Sequence, residues 1–405
     1  VSGTMSVPAL LPLRLFGAFD RHNFGDLLFP HLLTALLPGR SFEYAGLVSR
    51  DLRRFGGHRV LGLDSLEMSR PAHLIHAGGE VLTCSAWEAA VMLQDAAGAA
   101  QAIACYDDDP VAAAAWAASQ LGTTRSAPYV AGRELAAPPG KLIFNAVGGV
   151  EWASMSASRR EEVKAALRDA DWLSVRDHVT RRALQAEGIV AELCPDPAVM
   201  LRTCFDQTIR QRQGALQPVR QVFPRGYLAC QFSADFADDA SLGALAQQLS
   251  RVTATTGLGL VFFRAGAAPW HDDQGLYEKV LRRLRPGSAL IFESLHLWDI
   301  CALIASSREV IASSLHARVV AVAYGLPRVS IRSPQQGARA DKVAAFAETW
   351  EPQLLQRCVE LDELGPAALQ ALDISPGALQ EHAASLCASF TRSLAQWRDG
   401  VSADV

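Results

Sequence analysis

IASSLHARVVAVAYGLPRVSI, residues 311–331, decides how the chain is read. An apolar run over 309–312 reaches two serines, then Leu315 and His316, then a small-residue stretch that stops at Gly325-Leu326-Pro327, and a second β-rich run follows over 328–331. That order is strand, turn, helix, glycine stop and strand, a βαβ unit. Ser313, Ser314 and His316 fall where the strand ends and the helix begins. The first turn of a helix has unpaired N–H groups and a positive dipole end, so this corner suits an anion. A histidine there can bind the anion and carry a proton near neutral pH.

Outward from this unit the same alternation recurs. Towards the N-terminus, strands are expected at 11–19, 59–63, 73–77, 99–105 (weakly patterned), 141–147, 172–175 and 190–193. Helices are expected at 27–37, 111–121, 159–169 and 179–187. Residues 203–226 are polar, Gln/Arg-rich and weakly patterned, which suggests a linker. The pattern restarts with strands at 227–232, 258–264, 288–292 and 309–312, and helices at 241–255, 274–284 and 297–305. After Asp341 the chain reads as helical, ending in one long helix from 376 to 397. The expectation is α/β: two Rossmann-like, doubly wound domains facing a cleft. Their bounds are 1–205, a linker at 206–226, 227–375, and a C-terminal helix and tail at 376–405; residues 1–4 are left out of the fold argument.

Composition narrows the classes. Of 405 residues, 50% are hydrophobic and 20% charged, a globular balance. A net charge of -4 gives no global case for nucleic acid, so any anion site is local. Eight scattered cysteines form no CxxC pair and no zinc spacing, and read as free thiols in a reducing compartment. The start lacks the basic region of a signal peptide. No apolar stretch has the look of a membrane span. A cytoplasmic protein is expected, with peripheral contact at the inner face of the cell membrane and self-association both compatible with the sequence.

Four ordered segments resemble the polysaccharide pyruvyl transferase family, which has a two-domain fold like GT-B glycosyltransferases. They are Asn23-Phe24-Gly25-Asp26 (N-x-G-D), Ser174-Val175-Arg176-Asp177 with Cys194-Pro195-Asp196-Pro197 (S-V-R-D … P-D-P), Ser314-Leu315-His316-Ala317 with Gly325-Leu326-Pro327 (R-L-H-A … G-x-P), and Asp341-Lys342-Val343. His76-Ala77-Gly78-Gly79-Glu80 is a weaker match. The chain departs from the pattern at Ser314, where the family usually carries arginine, and at Ala18 and Phe19. The resemblance implies transfer of pyruvate from phosphoenolpyruvate to two hydroxyls of a lipid-linked or nucleotide-linked sugar, a cell-surface polysaccharide precursor, with no metal or organic cofactor. The rivals are a GT-B-like glycosyltransferase using a nucleotide sugar and a non-catalytic binding member of the fold.

Such a donor needs cations for its phosphate and carboxylate, an acid for its methylene carbon, and a base for the attacking hydroxyl. His316 is the expected acid and Asp26 the expected acceptor-side base. Arg176, Ser313, Ser314, His316, Arg318 and Lys342 are expected on the donor, with Arg318 leaning back towards its helix start. His22, Asn23, Asp26 and His76 are expected on the acceptor. Glu293 and His296 form a second tier. Asp107-Asp108-Asp109 reads as a capping turn ahead of Pro110, and no metal site is expected. Trp116, Trp152, Trp172, Trp270 and Trp298 read as core or cleft wall.

Overall fold

Short apolar runs bounded by Gly, Pro and polar turns form strands buried on both faces, the signature of parallel sheets covered by helices. The computed structural model describes residues 10–67, 69–269, 272–333 and 341–402; Trp270 and residues 1–4 lie outside them. The first half contributes β1 (Leu13–Phe16), β2 (Phe42–Ala45), β3 (Arg50–Asp51), β4 (Arg59–Val60), β5 (His73–His76), β6 (Leu142–Val147), β7 (Trp172–Val175) and β8 (Glu192–Leu193). The second contributes β9 (Tyr227–Gln231), β10 (Gly259–Phe263), β11 (Ala289–Phe292), β12 (Glu309–Ala312), β13 (Arg328–Ile331) and β14 (Cys358–Val359).

Two six-stranded parallel sheets result, ordered β2-β1-β5-β6-β7-β8 and β11-β10-β9-β12-β13-β14, with β3 and β4 as a separate antiparallel pair. In the first sheet β1 pairs with both β2 and β5, opposite Phe42 and His73 at Leu13. In the second, β9 pairs with β10 and β12, opposite Leu260 and Glu309 at Leu228. The connections therefore run in opposite directions on either side of β1/β5 and of β9/β12. Open α/β sheets bind ligands beyond the carboxyl ends of strands at such switch points.

One apolar cluster runs through both halves. It joins Leu27, Leu28 and Leu32 of the helix Phe24–Leu36 to Val319, Val320 and Val322 of the helix Leu315–Ala323. The helix Pro376–Ser402 crosses back to the first half, placing Phe390, Leu394, Trp397 and Val401 in that cluster, and Arg40 donates to the Val401 carbonyl. Among the described residues no helix is long and apolar enough to cross a membrane, and all eight cysteines are free.

The structure corrects one local expectation and details another. Residues 99–105 belong to a helix, Ala96–Tyr106, capped by the Asp95 side chain on the Gly98 N–H at 2.8 Å. Alanine favours helix and packs poorly in a pleated sheet, so local composition outweighs the apparent strand. Residues 203–226, expected as a linker, run between the two sheets and carry the α-helices Leu201–Gln211 and Gln217–Val222, seated by Ile209, Leu216 and Val219. Gln and Arg are good helix formers, and a few buried residues suffice to dock them.

Candidate active site

The carboxyl ends of both switch points open onto one cavity of about 460 Å³. Each strand end supplies lining residues: Arg21, Asn23 and Asp26 after β1, Glu80 after β5, Arg176 after β7, Gln231 after β9, Asp272 after β10, and Ser313, Ser314 and His316 after β12. Lys342, at the start of the helix Lys342–Trp350, also lines it.

His316 sits where the halves meet. Its Nε2 is buried and lies 3.6 Å from Asp196 Oδ2. Phe24 and Phe29 stand edge-on to the ring at 6.5 and 5.3 Å. Gly25 closes the other side so tightly that a Cβ there would fall 1.9 Å from His316 Nδ1 and 2.0 Å from its Cγ. The glycine of the N-x-G-D loop is therefore a packing requirement of the histidine.

Asp196 is fully buried and links His316 to the next pair. Its Oδ1 accepts the Ala198 N–H at 3.0 Å, and its Oδ2 accepts Arg176 Nη1 at 3.2 Å. Arg176 Nη2 reaches Glu80 Oε2 at 2.6 Å, and Glu80 Oε1 takes the Val150 N–H at 2.7 Å. Burial alone would raise the Asp196 pKa, but His316 and Arg176 outweigh it and hold the carboxyl below its usual range. The chain His316–Asp196–Arg176–Glu80 thus alternates base, acid, base, acid. It sets a carboxylate beside the imidazole ring.

The β1 loop shapes the opposite wall. Asn23 caps the helix Phe24–Leu36 by accepting the Gly25 N–H at 3.0 Å, and Asp26 follows in its first turn. Arg21 was not singled out from the sequence. It donates Nη1 to the Tyr129 hydroxyl at 3.0 Å, lies over the Tyr129 ring at 5.3 Å, and comes only to 4.0 Å from Asp26.

On the other side, Ser314 caps the helix Leu315–Ala323 through the Ala317 N–H at 3.4 Å, and its own N–H donates to Gln231 Oε1 at 2.8 Å. Ser313 Oγ accepts the Ser233 N–H at 2.9 Å. Gln231 Nε2 reaches Asp272 Oδ1 at 2.6 Å, and Asp272 Oδ2 takes the Ala265 N–H. Burial pushes Asp272 up to about 7, so a carboxyl that titrates near neutrality lies in the cleft wall. No sequence motif marks it. Lys342 is exposed, and among the described residues it makes no ion pair.

Three expected site residues lie elsewhere. All five N–H groups of Arg318 are taken, by Glu351 Oε1 and Oε2 at 2.9 and 2.6 Å, Ser330 Oγ at 3.0 Å, and the Arg357 and Leu355 carbonyls at 3.3 and 2.9 Å. It turns into the core and has no donor left for a ligand. His76 is fully buried, stacks on Phe144 at 3.9 Å and accepts the Ala131 N–H at 3.0 Å. Burial drives it down to about 3, so it is a neutral core histidine. His22 clasps the halves: Nε2 meets the Leu295 carbonyl at 2.8 Å, and Nδ1 meets the Ala267 N–H at 3.1 Å. Because Nδ1 must accept, the ring is neutral, and burial holds its pKa below the usual value.

Glu293, His296 and the described tryptophans Trp116, Trp152, Trp172 and Trp298 do not line the cavity. Asp109 caps the helix Pro110–Leu121 on two N–H groups at 3.0 and 3.1 Å. Among the described residues no group of three His, Cys, Asp or Glu is placed to hold a metal ion.

The family model described as Polysaccharide pyruvyl transferase matches residues 23–333. No curated protein matches the chain. Solved structures similar to it include the UDP-GlcNAc 2-epimerase of Neisseria meningitidis (10% identity, 95% of this chain and 100% of that one, TM-score 0.49). They also include the UDP-GlcNAc 2-epimerase of Methanocaldococcus jannaschii (11%, 93% and 99%, 0.47) and the α,α-trehalose 6-phosphate synthase of Burkholderia multivorans (13%, 97% and 95%, 0.49). At 10–13% identity these likenesses carry nothing about substrate or chemistry.

Proposed function

The chain belongs to the polysaccharide pyruvyl transferase family, an enzyme family acting on sugars, and from that premise we propose that it transfers pyruvate from phosphoenolpyruvate to two hydroxyls of a cell-surface polysaccharide precursor, forming a cyclic ketal. The acceptor is a lipid-linked or nucleotide-linked sugar, and the reaction calls on no metal or organic cofactor.

His316 gives a proton to the methylene carbon of the donor, which becomes a methyl group while its neighbour becomes electrophilic. One acceptor hydroxyl adds to that carbon and loses its proton to Asp26 or back to His316. The C–O bond to phosphate breaks, and the second hydroxyl closes the ring. Two hydroxyl protons are released and one has been taken up by carbon, so the remaining one leaves with phosphate. Asp196 lies beside the His316 ring, and a positioned acid contributes about 10²- to 10⁴-fold. The helix start that follows Ser314, with Lys342, offers N–H groups and positive charge to the donor oxyanions, while Arg176 is held by Glu80 and Asp196.

The observation that carries this reading is the buried contact of His316 with Asp196 where both switch points meet. The test mixes the enzyme with phosphoenolpyruvate and a panel of nucleotide- and lipid-linked sugars, reading phosphate release and the ketal methyl resonance. His316→Ala is expected to abolish transfer with the fold intact. Undiminished turnover in that variant removes the proposed acid. Sugar transfer from a nucleotide sugar, with phosphoenolpyruvate left untouched, replaces the reading altogether.

A further inference from the structure

A multiply charged donor or a phosphorylated acceptor needs a cation that the protein has not already neutralised. Among the described residues, the basic side chains lining the cleft are Arg21, Arg176, His316 and Lys342, and carboxylates outnumber them. Arg176 is held between Glu80 and Asp196 at 2.6 and 3.2 Å. His316 faces Asp196 at 3.6 Å. Lys342 is exposed and offers a single point charge.

Arg21 differs from all three. It is only 7% exposed. Its Nη1 is anchored by Tyr129, whose hydroxyl donates to Asp20 Oδ1 at 2.7 Å, and Asp20 is pinned in turn by the Leu47 N–H at 2.7 Å. The guanidinium is thus fixed before any ligand arrives. Yet its Nη2 makes no hydrogen bond and its nearest carboxylate oxygen is 4.0 Å away, while its buried Nε has no partner. Burying a charged donor with its bonds unmade is costly, and the cost is relieved when an anion completes them. Arg21 stands two residues before Asn23, whose helix carries Gly25 onto the His316 ring. Its position puts a free guanidinium edge on the first-half wall of the same cavity.

We propose that Arg21, oriented by Tyr129, is the guanidinium that grips a phosphate group of the substrate from the first half of the chain. This rests on the proposed function only for which molecule brings the phosphate: phosphoenolpyruvate, or the phosphate of a nucleotide-linked or lipid-linked acceptor. A planar fork binds an oxyanion in a way an ammonium cannot reproduce, so charge alone is insufficient.

Calorimetric titration of the full chain with inorganic phosphate, phosphoenolpyruvate and a nucleoside-diphosphate sugar, on wild type, Arg21→Gln and Arg21→Lys, tests it. Arg21→Gln is expected to weaken phosphate-bearing ligands by about tenfold or more, and Arg21→Lys by roughly threefold or more. An affinity for Arg21→Gln within about twofold of wild type overturns the proposal, as does a wild type that binds none of the three anions. If Arg21→Gln fails to fold, Arg21→Lys decides: weakened binding supports the role, and wild-type affinity overturns it. Phosphoenolpyruvate affected alone assigns Arg21 to the donor, and the nucleotide sugar affected alone assigns it to the acceptor. Binding of phosphate but not of phosphoenolpyruvate, still lost in Arg21→Gln, removes the donor reading and leaves Arg21 in place.

Discussion

Gly25→Ala adds one methyl group at the tightest contact of the site. The new carbon would stand 1.9 Å from His316 Nδ1, 2.0 Å from Cγ and 2.5 Å from Cβ. Ordinary contact is about 3.5 Å, so the ring must retreat by about 1.5 Å or the helix Phe24–Leu36 must lift off its partner. Overpacking of this kind costs about 1–3 kcal/mol, and replacing glycine inside a helix returns about 0.5–1 kcal/mol. The expected net loss is about 1–2 kcal/mol in urea denaturation. A shift of that size also carries Nε2 off Asp196, now at 3.6 Å. Misplacement of about 1 Å costs on the order of 10²-fold in rate, so kcat for phosphate release should fall by about that factor or more. Gly243→Ala is the control, because that glycine lies in the helix Asp239–Thr256 with open space around its Cβ. It should stabilise by about 0.5–1 kcal/mol and leave kcat unchanged. A Gly25→Ala enzyme with wild-type kcat and stability would refute the packing argument.

Asp196→Asn should lower kcat by about 10²-fold with little change in KM for the donor and a displaced alkaline limb of the pH–rate profile, whereas an unaltered profile breaks the link between Asp196 and His316. Glu309 lies fully buried with neither carboxyl oxygen bonded, and burial raises its pKa well above 4.5. Its neutral form is the folded form, so the relative stability it confers is complete below about pH 4.5 and is lost as pH rises towards the folded-state pKa, at about 1.4 kcal/mol per unit. Glu309→Gln should therefore match wild type at pH 4 and exceed it at pH 8 in urea midpoint; parallel pH profiles for the two proteins would contradict this.

The βαβ unit at 309–331 was legible because its strand, caps and stop signals are local, and the structure places β12, the helix Leu315–Ala323 and β13 there. Strand β2 and the helix Ala86–Met92 escaped notice. The first is four residues long and half-buried, and the second spans two turns with its capping box supplied by Ser85 and Glu88. The side chains that left the site did so through partners distant in sequence: Glu351 for Arg318, Phe144 for His76, and Leu295 with Ala267 for His22. Sequence position can assign a residue to a strand end, but it cannot say which face of the chain will find a carboxylate. Arg21 and Asp272 were missed for the converse reason, since neither stands in a patterned motif and only tertiary folding carries them to the cavity wall.

His22 and Gly25 give the arrangement its logic. The β1 loop does not merely border the second half. Phe24 donates to the Ala265 carbonyl at 2.8 Å, Asn23 bridges Gly266, and His22 holds Ala267 and Leu295. Between these bonds and the Gly25 contact, the loop that carries Arg21, Asn23 and Asp26 is fixed against the element that carries His316. A hinge motion between the sheets that moved Asp26 relative to His316 would have to break a hydrogen-bonded bridge and a neutral histidine clasp together. Asp26 and His316 are thereby held against one another across the cleft.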